Sequence, residues 1–404
     1  MGESVLVEPM ETVDVIVVGG GPAGATAARD LALKGRSVVL LDREGRPKPC
    51  GGAIPPRAMR DFDIPESRLV TTVKGARIIS PTGRRVDMPI QSGYVGMVDR
   101  KDFDPWLRER AAEAGADRRA GTYQRITREA DGRPIVVYRP ADGDGDRRIT
   151  GRVVIGADGA RSLVGKQEIP ESESKRLVHA YHEIIRRPDP DSGADYRPDR
   201  CDVVYDGVIS PDFYGWVFPH GDTVSVGMGT AIKGFDLRAA TTELRRRAGL
   251  ADMETLRYEG APIPLKPLKR WDNGKDVLLA GDAAGCVAPS SGEGIYYALA
   301  CGRMAAEAVE EMLSTGKASA LAGARKRFLK EHGRVFWILG IMQDIWYKTD
   351  TRRERFVTIC ADADVQRLTW EAYMEKALKR KSPLAHLRIF LKDTAHMLGL
   401  VKPT

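Results

Sequence analysis

Apolar positions fall into three rhythms along the chain. Val13 to Val18 is a near-continuous apolar run, Ala25 to Lys34 repeats with helical spacing, and Ser37 to Leu41 is apolar again. Continuous runs of this length predict buried strands, and the 3.6-residue repeat between them predicts a helix, which Gly35 stops. Further on, Val73 to Ser80 reads as a strand, and a helix is expected from about Lys101 to Gly115. Alternation with turn residues between Arg128 and Gly159 predicts a β-meander. Residues 176–230 are strand-rich and read as a second sheet covering the first unit. From Asp276 the first pattern returns: the strand DVLLA, a glycine turn, and a long helix from about Glu293 to Leu313. The remainder is helical by period. The predicted fold class is α/β, a Rossmann-like nucleotide-binding domain with a β-sheet substrate domain and a helical C-terminal region. The expected partition is 12–70, 99–165 and 271–330 for nucleotide binding, 71–98 and 166–270 for the substrate domain, and 331–404 for the helical region.

Composition narrows the class. The net charge of +7 admits an anionic substrate or membrane surface, but no basic run is interleaved with aromatics, so nucleic acid is not expected. No apolar run reaches the ~18 residues that a membrane span requires, and the N-terminal stretch has no leader pattern. Five scattered cysteines without CxxC spacing suggest reduced thiols, a cytoplasmic setting and no metal site.

The chemistry begins at Gly19, Gly21 and Gly24, a GxGxxG between the first strand and helix. Gly19 permits the tight turn, Gly21 lets the backbone approach a pyrophosphate, and Gly24 lets helix and strand pack closely. Pro22 and Ala23 lie between them. The helix N-terminus offers free N–H groups and a positive dipole end. Asp42, with Arg43 beside it, ends the second strand where an acid can accept from ribose hydroxyls. Two later turns repeat the theme. VVIGADGARS puts a strand before Asp158, and LLAGDAAGCVAPSSGEGI puts one before Gly281 and Asp282, followed by a loop through Pro289, Gly292, Gly294 and Ile295.

These three motifs, in this order, resemble the FAD-dependent reductases and hydroxylases built like p-hydroxybenzoate hydroxylase. The resemblance implies that Asp282 contacts the ribityl chain and that N–H groups around Gly292 to Gly294 face the pyrimidine edge of the isoalloxazine. It also implies that Arg100, in VDRKDF, lies near the ribityl and pyrophosphate. The stretches PCGGAIPPRAMRDF and YGWVFPHGDTVSVGMG further resemble the geranylgeranyl reductases, above all the branch acting on chlorophyll or bacteriochlorophyll. That resemblance implies hydrogenation of isolated C=C bonds of a geranylgeranyl chain, either the free diphosphate or the pigment ester. Only one GxGxxG unit exists, so no second nucleotide domain is available for a nicotinamide, and the resemblance implies NADPH as a transient electron donor bound near the flavin. Ferredoxin stays open as a donor, and other pigment-synthesis enzymes stay open as partners.

An unpolarised alkene needs a proton donor beside the hydride donor, in a dry apolar pocket. Cys50, Gly51 and Gly52 are the catalytic candidates: the glycines permit close approach, and a thiol in apolar surroundings would keep its proton. A packed structural cysteine is the alternative. Tyr214, Trp216 and Phe218, with Pro219, alternate on one strand face, as a prenyl-binding wall or as ordinary core. His220 is expected in a turn, and His179 and His182 receive no role. Leu384, Leu387, Leu391, Ala395 and Leu398 share a helical face, read as packed on its own domain or as peripheral contact with a photosynthetic membrane. The competing functions are an aromatic hydroxylase on the same scaffold, an archaeal-type prenyl-lipid reductase and a non-catalytic pigment escort.

Overall fold

The strand Thr12–Val18 is the centre of the first sheet. In the computed structural model, which describes residues 11–376 except 44, 46 and 144, it pairs in parallel with Val38–Asp42 on one side and Arg147–Gly156 on the other. Asp117–Arg128 and Val277–Leu279 extend the parallel array outward. Pro134–Pro140 runs antiparallel to both long neighbours and completes the expected meander. The central strands are apolar on both sides because both faces are covered. The helix Pro22–Ala32 packs between Arg100–Glu113 and Ile295–Thr315. Its alanine-rich sequence allows this: a Cβ at Gly302 would sit 2.1 Å from the Ala23 carbonyl, and one at Gly24 would sit 1.8 Å from the Gly19 carbonyl. The helix begins at Pro22, three residues before the apolar period becomes visible, because proline suits the first helical position. Arg36 clasps Glu310 with two bonds of 2.8 and 2.6 Å, tying the far end of Ile295–Thr315 to the first turn of chain.

The second sheet has seven strands. In spatial order they are Thr255–Pro264, Leu177–Arg186, Thr223–Thr230, Gly215–His220, Arg200–Val204, Gly75–Ile79 and Arg85–Pro89. The single strand expected over Val73 to Ser80 is broken at Lys74. Thr71–Val73 joins Val95–Met97 and Ala53–Ile54 in a small three-stranded sheet, while Gly75–Ile79 enters the large one. A helix that the apolar pattern did not suggest, Leu237–Arg247, is capped by Asp236 and covers one face of the large sheet. Its Ala240, Thr241 and Leu244 give too narrow a stripe to stand out in sequence.

Three helices follow: Ala322–Trp346, Asp350–Ile359 and Ala363–Glu375. The last sets Trp370, Tyr373 and Met374 against Val73, Val95, Met97, Cys201 and Phe218, roofing the small sheet and one end of the aromatic strand. The face running from Leu384 to Leu398 lies outside the described residues. Among those residues no helix is long and apolar enough to cross a membrane.

Candidate active site

The nucleotide end is built by the first βαβ unit. Gly20 N–H donates to Asp42 Oδ1 at 3.0 Å, and Arg108 reaches Asp42 Oδ2 at 3.2 Å. Burial raises the Asp42 pKa, with the Gly20 N–H and the Arg108 charge pulling the other way. Arg43 is exposed just beyond. No side chain caps the Pro22–Ala32 helix. The space a Cβ at Gly21 would occupy meets nothing nearer than Arg100 Nη2 at 3.9 Å. A helix N-terminus with open space and a buried guanidinium before it suits a pyrophosphate.

The second motif is organised differently. Asp158 accepts from Ser162 Oγ at 2.5 Å and from the N–H groups of Leu163 and Val164 at 2.7 and 3.2 Å. Its carboxylate therefore shapes the turn into the helix Leu163–Glu168, and burial pushes its pKa up. In the third motif Asp282 pairs with Lys48, which comes from the loop before Cys50. Asp282 Oδ1 lies 3.7 Å from the Cβ position of Gly294, so acid and helix start share one corner. Gly294 caps the 21-residue helix that begins at Ile295, again without a side-chain cap. Behind Pro289 the loop closes on itself through Gly292 N–H to Ala288 O at 3.0 Å. Glu293, in the middle of this loop, is buried and paired with buried Lys376. The residue types of Lys48 and Lys376 gave no sequence signal, since their partners lie 234 and 83 positions away.

The cysteine loop meets the same place from the other side. Gly52 has φ +75°, and a Cβ there would lie 2.4 Å from the Val98 carbonyl and 2.6 Å from His220 Nε2. Gly51 faces the Phe218 ring, 3.3 Å from its Cβ position. Cys50 Sγ accepts weakly from the Gly52 N–H at 3.4 Å. Arg100, buried and gripped by Asp104 at 2.5 and 2.6 Å, stands beside Cys50. Burial opposes the Arg100 charge, but Asp104 and then Cys50 hold its pKa above the ordinary value. The thiol is thus half-buried, packed against the apolar core on one side and beside a guanidinium on the other. One arginine joins the pyrophosphate cradle to the cysteine loop.

Between these loops runs a ladder of rings. Tyr214 and Trp216 have centroids 6.0 Å apart, and Trp216 and Phe218 are 6.3 Å apart. Tyr214 donates to Ser291 O at 2.5 Å, so one end is fixed to the glycine loop before Ile295. Phe218 sits against Gly51, so the other end is fixed to the cysteine loop. Pro219 continues the strand, paired with Val224. His220 ends that strand and abuts Gly52, and desolvation lowers its pKa.

The open helix start at Gly21, the acid at Asp42, the Asp282 corner and the uncapped Gly294 turn are the features an FAD molecule needs along its length. The residues fit the group. Fold and site define an FAD-binding oxidoreductase, and the profile of the FAD binding domain matches residues 12–184. The geranylgeranyl diphosphate reductase of Rhodobacter capsulatus is 59% identical over 390 residues, spanning 96% of this chain and 98% of that protein. The chloroplastic geranylgeranyl diphosphate reductase of Oryza sativa is 36% identical, over 93% of this chain and 84% of the relative. The chain belongs to the geranylgeranyl diphosphate reductase family. Digeranylgeranylglycerophospholipid reductase 2 of Methanopyrus kandleri is 31% identical over 80% of this chain and 84% of that one. A geranylgeranyl bacteriochlorophyll reductase-like protein of Thermoplasma acidophilum shares the fold, with a TM-score of 0.81 at 24% identity, over 95% of this chain and 100% of that structure.

Proposed function

We propose that this protein hydrogenates isolated double bonds of a geranylgeranyl chain, as free diphosphate or pigment ester, with NADPH as electron source. The observation that carries the reading is the aromatic ladder. It joins the glycine loop at Ser291 to the cysteine loop at Gly51, which supports a wall between the Asp282 corner and the thiol. Reduced FAD, when bound, supplies the hydride. Arg100 and the Gly21 helix start would hold its pyrophosphate, Asp42 its ribose and Asp282 its ribityl hydroxyls. The ladder excludes water and lays the prenyl chain flat, which matters because an alkene offers no polar handle for orientation. Cys50, beside Arg100, would give or relay the proton that must reach the more substituted carbon.

The test is anaerobic incubation with NADPH and, separately, geranylgeranyl diphosphate or a geranylgeranylated pigment. Product masses rising in two-dalton steps support the reading and tell the substrates apart. Product that forms only in oxygen, with a mass gain of one oxygen atom, would establish a hydroxylase instead.

A further inference from the structure

Trp216 is held by more than its neighbours in the ladder. Its indole N–H donates to Ser225 Oγ at 3.0 Å, and Ser225 Oγ lies 2.8 Å from His182 Nδ1. His182 Nε2 lies 3.0 Å from Glu259 Oε2, Glu259 Oε1 lies 3.1 Å from Arg257 Nε, and Arg257 Nη2 reaches Asp99 at 3.7 Å. Trp216, Ser225 and His182 are 6%, 0% and 2% exposed, so no water competes for these groups. Proton counting gives one consistent arrangement. The serine oxygen receives the indole proton, which leaves its own hydrogen free to go to Nδ1. The histidine then carries its proton on Nε2, facing the carboxylate. Burial works against the Glu259 charge, yet His182 and Arg257 hold its pKa below the usual value. Gly227 makes the approach possible: a Cβ there would lie 2.3 Å from His182 Cβ and 2.7 Å from Trp216 Cζ2.

We infer that Ser225 and His182, braced by Glu259, are positioning residues for Trp216, and that this fixed ring decides how many double bonds of the prenyl chain are presented for reduction. The inference rests on the prenyl-reductase reading above. An ordinary core tryptophan needs one hydrogen-bond partner. This one has a hydrogen-bonded partner that is itself bonded to His182, and from His182 contacts at ion-pair distance run through Glu259 and Arg257 to Asp99, the cap of the helix that begins with Arg100. The middle rung of the wall is thereby tied to the helix that holds the cysteine loop's arginine. A free indole would rotate or slide, and successive double bonds would no longer meet the reacting corner at the same height.

The test compares Ser225→Ala, His182→Leu, His182→Asn, Trp216→Phe and the Trp216→Phe/Ser225→Ala double variant as purified holoenzymes. The asparagine carbonyl can accept where Nδ1 did. Losing one buried hydrogen bond is expected to raise the ratio of partially to fully reduced product about fivefold in Ser225→Ala and His182→Leu, with FAD content unchanged. His182→Asn should restore the native ratio. Adding Ser225→Ala to Trp216→Phe should change the ratio less than about twofold, since the N–H that Ser225 accepts is already gone. An unchanged ratio in both single variants, or a full additive effect in the double variant, overturns the inference. A second readout does not depend on turnover: the Trp216 indole N–H resonance, assigned by its loss in Trp216→Phe, should move upfield and exchange faster in Ser225→Ala. If wild type reduces no prenyl substrate, the functional reading fails, while an unmoved indole resonance sinks the positioning claim separately.

Discussion

Gly52 is the tightest residue of the cysteine loop, and it makes a direct prediction. Its positive φ and the Val98 carbonyl 2.4 Å from any Cβ leave no room for alanine. Gly52→Ala should cost about 1–3 kcal/mol, read as a lower denaturant midpoint, and should pull Cys50 from its place beside Arg100. Cys50→Ser keeps the shape and weakens the acid. It should retain FAD and its reduction by NADPH, while alkene hydrogenation slows about a hundredfold. Equal turnover in Cys50→Ser would leave the thiol a packing role only. The glycine pattern was readable in sequence because each glycine answers to local backbone geometry. The setting of Cys50 was not, since the arginine beside it lies 50 residues further along and announces itself only through folding. His182 was unreadable for the same reason: its serine and glutamate partners sit on two other strands.

At the scale of elements, helix starts carry most of the site, and their period made them legible. Ile295–Thr315 was foreseen within two residues at either end. What escaped was the joint between that helix and the C-terminal region. Glu293 and Lys376 are 7% and 2% exposed and paired, with the lysine over the Tyr373 ring at 3.7 Å. Burial raises the Glu293 pKa and lowers that of Lys376, and each partner's charge offsets the shift of the other. Lys376→Met alone strands a buried carboxylate and should destabilise the protein by about 3–5 kcal/mol in urea unfolding. Adding Glu293→Leu should recover most of that loss. A single variant as stable as wild type would show that the pair is dispensable.

At the scale of the whole molecule, the long-range clamps give a pH dependence. The hydrogen bonds from Arg36 are the largest influence on Glu310 and lower its pKa from 4.5 to about 2. A depressed folded-state value means stability that is present above the unfolded value and fades as pH falls through the folded one. The loss should therefore develop between about pH 4.5 and 2, and be absent in Glu310→Gln. Because the pair is partly exposed, the difference should stay below about 1 kcal/mol. Acid titrations of stability that superimpose for the two proteins would rule the clamp out. Fold class was legible at this scale because both sheets and the returning third motif leave periodic traces. The splitting of residues 71–98 between two sheets left none, since a one-residue break at Lys74 looks like continuous strand.

The helix Ala363–Glu375, which lays Trp370 and Tyr373 over the far end of the aromatic strand, has a consequence for synthesis. The ribosome delivers Tyr214, Trp216 and Phe218 long before that helix. Until it emerges, a nascent polypeptide leaves Phe218 and the apolar residues of the small sheet without this cover. Stalled chains ending at Tyr347 should bind a hydrophobic dye that chains reaching past Lys376 shed; equal dye uptake by both would refute this.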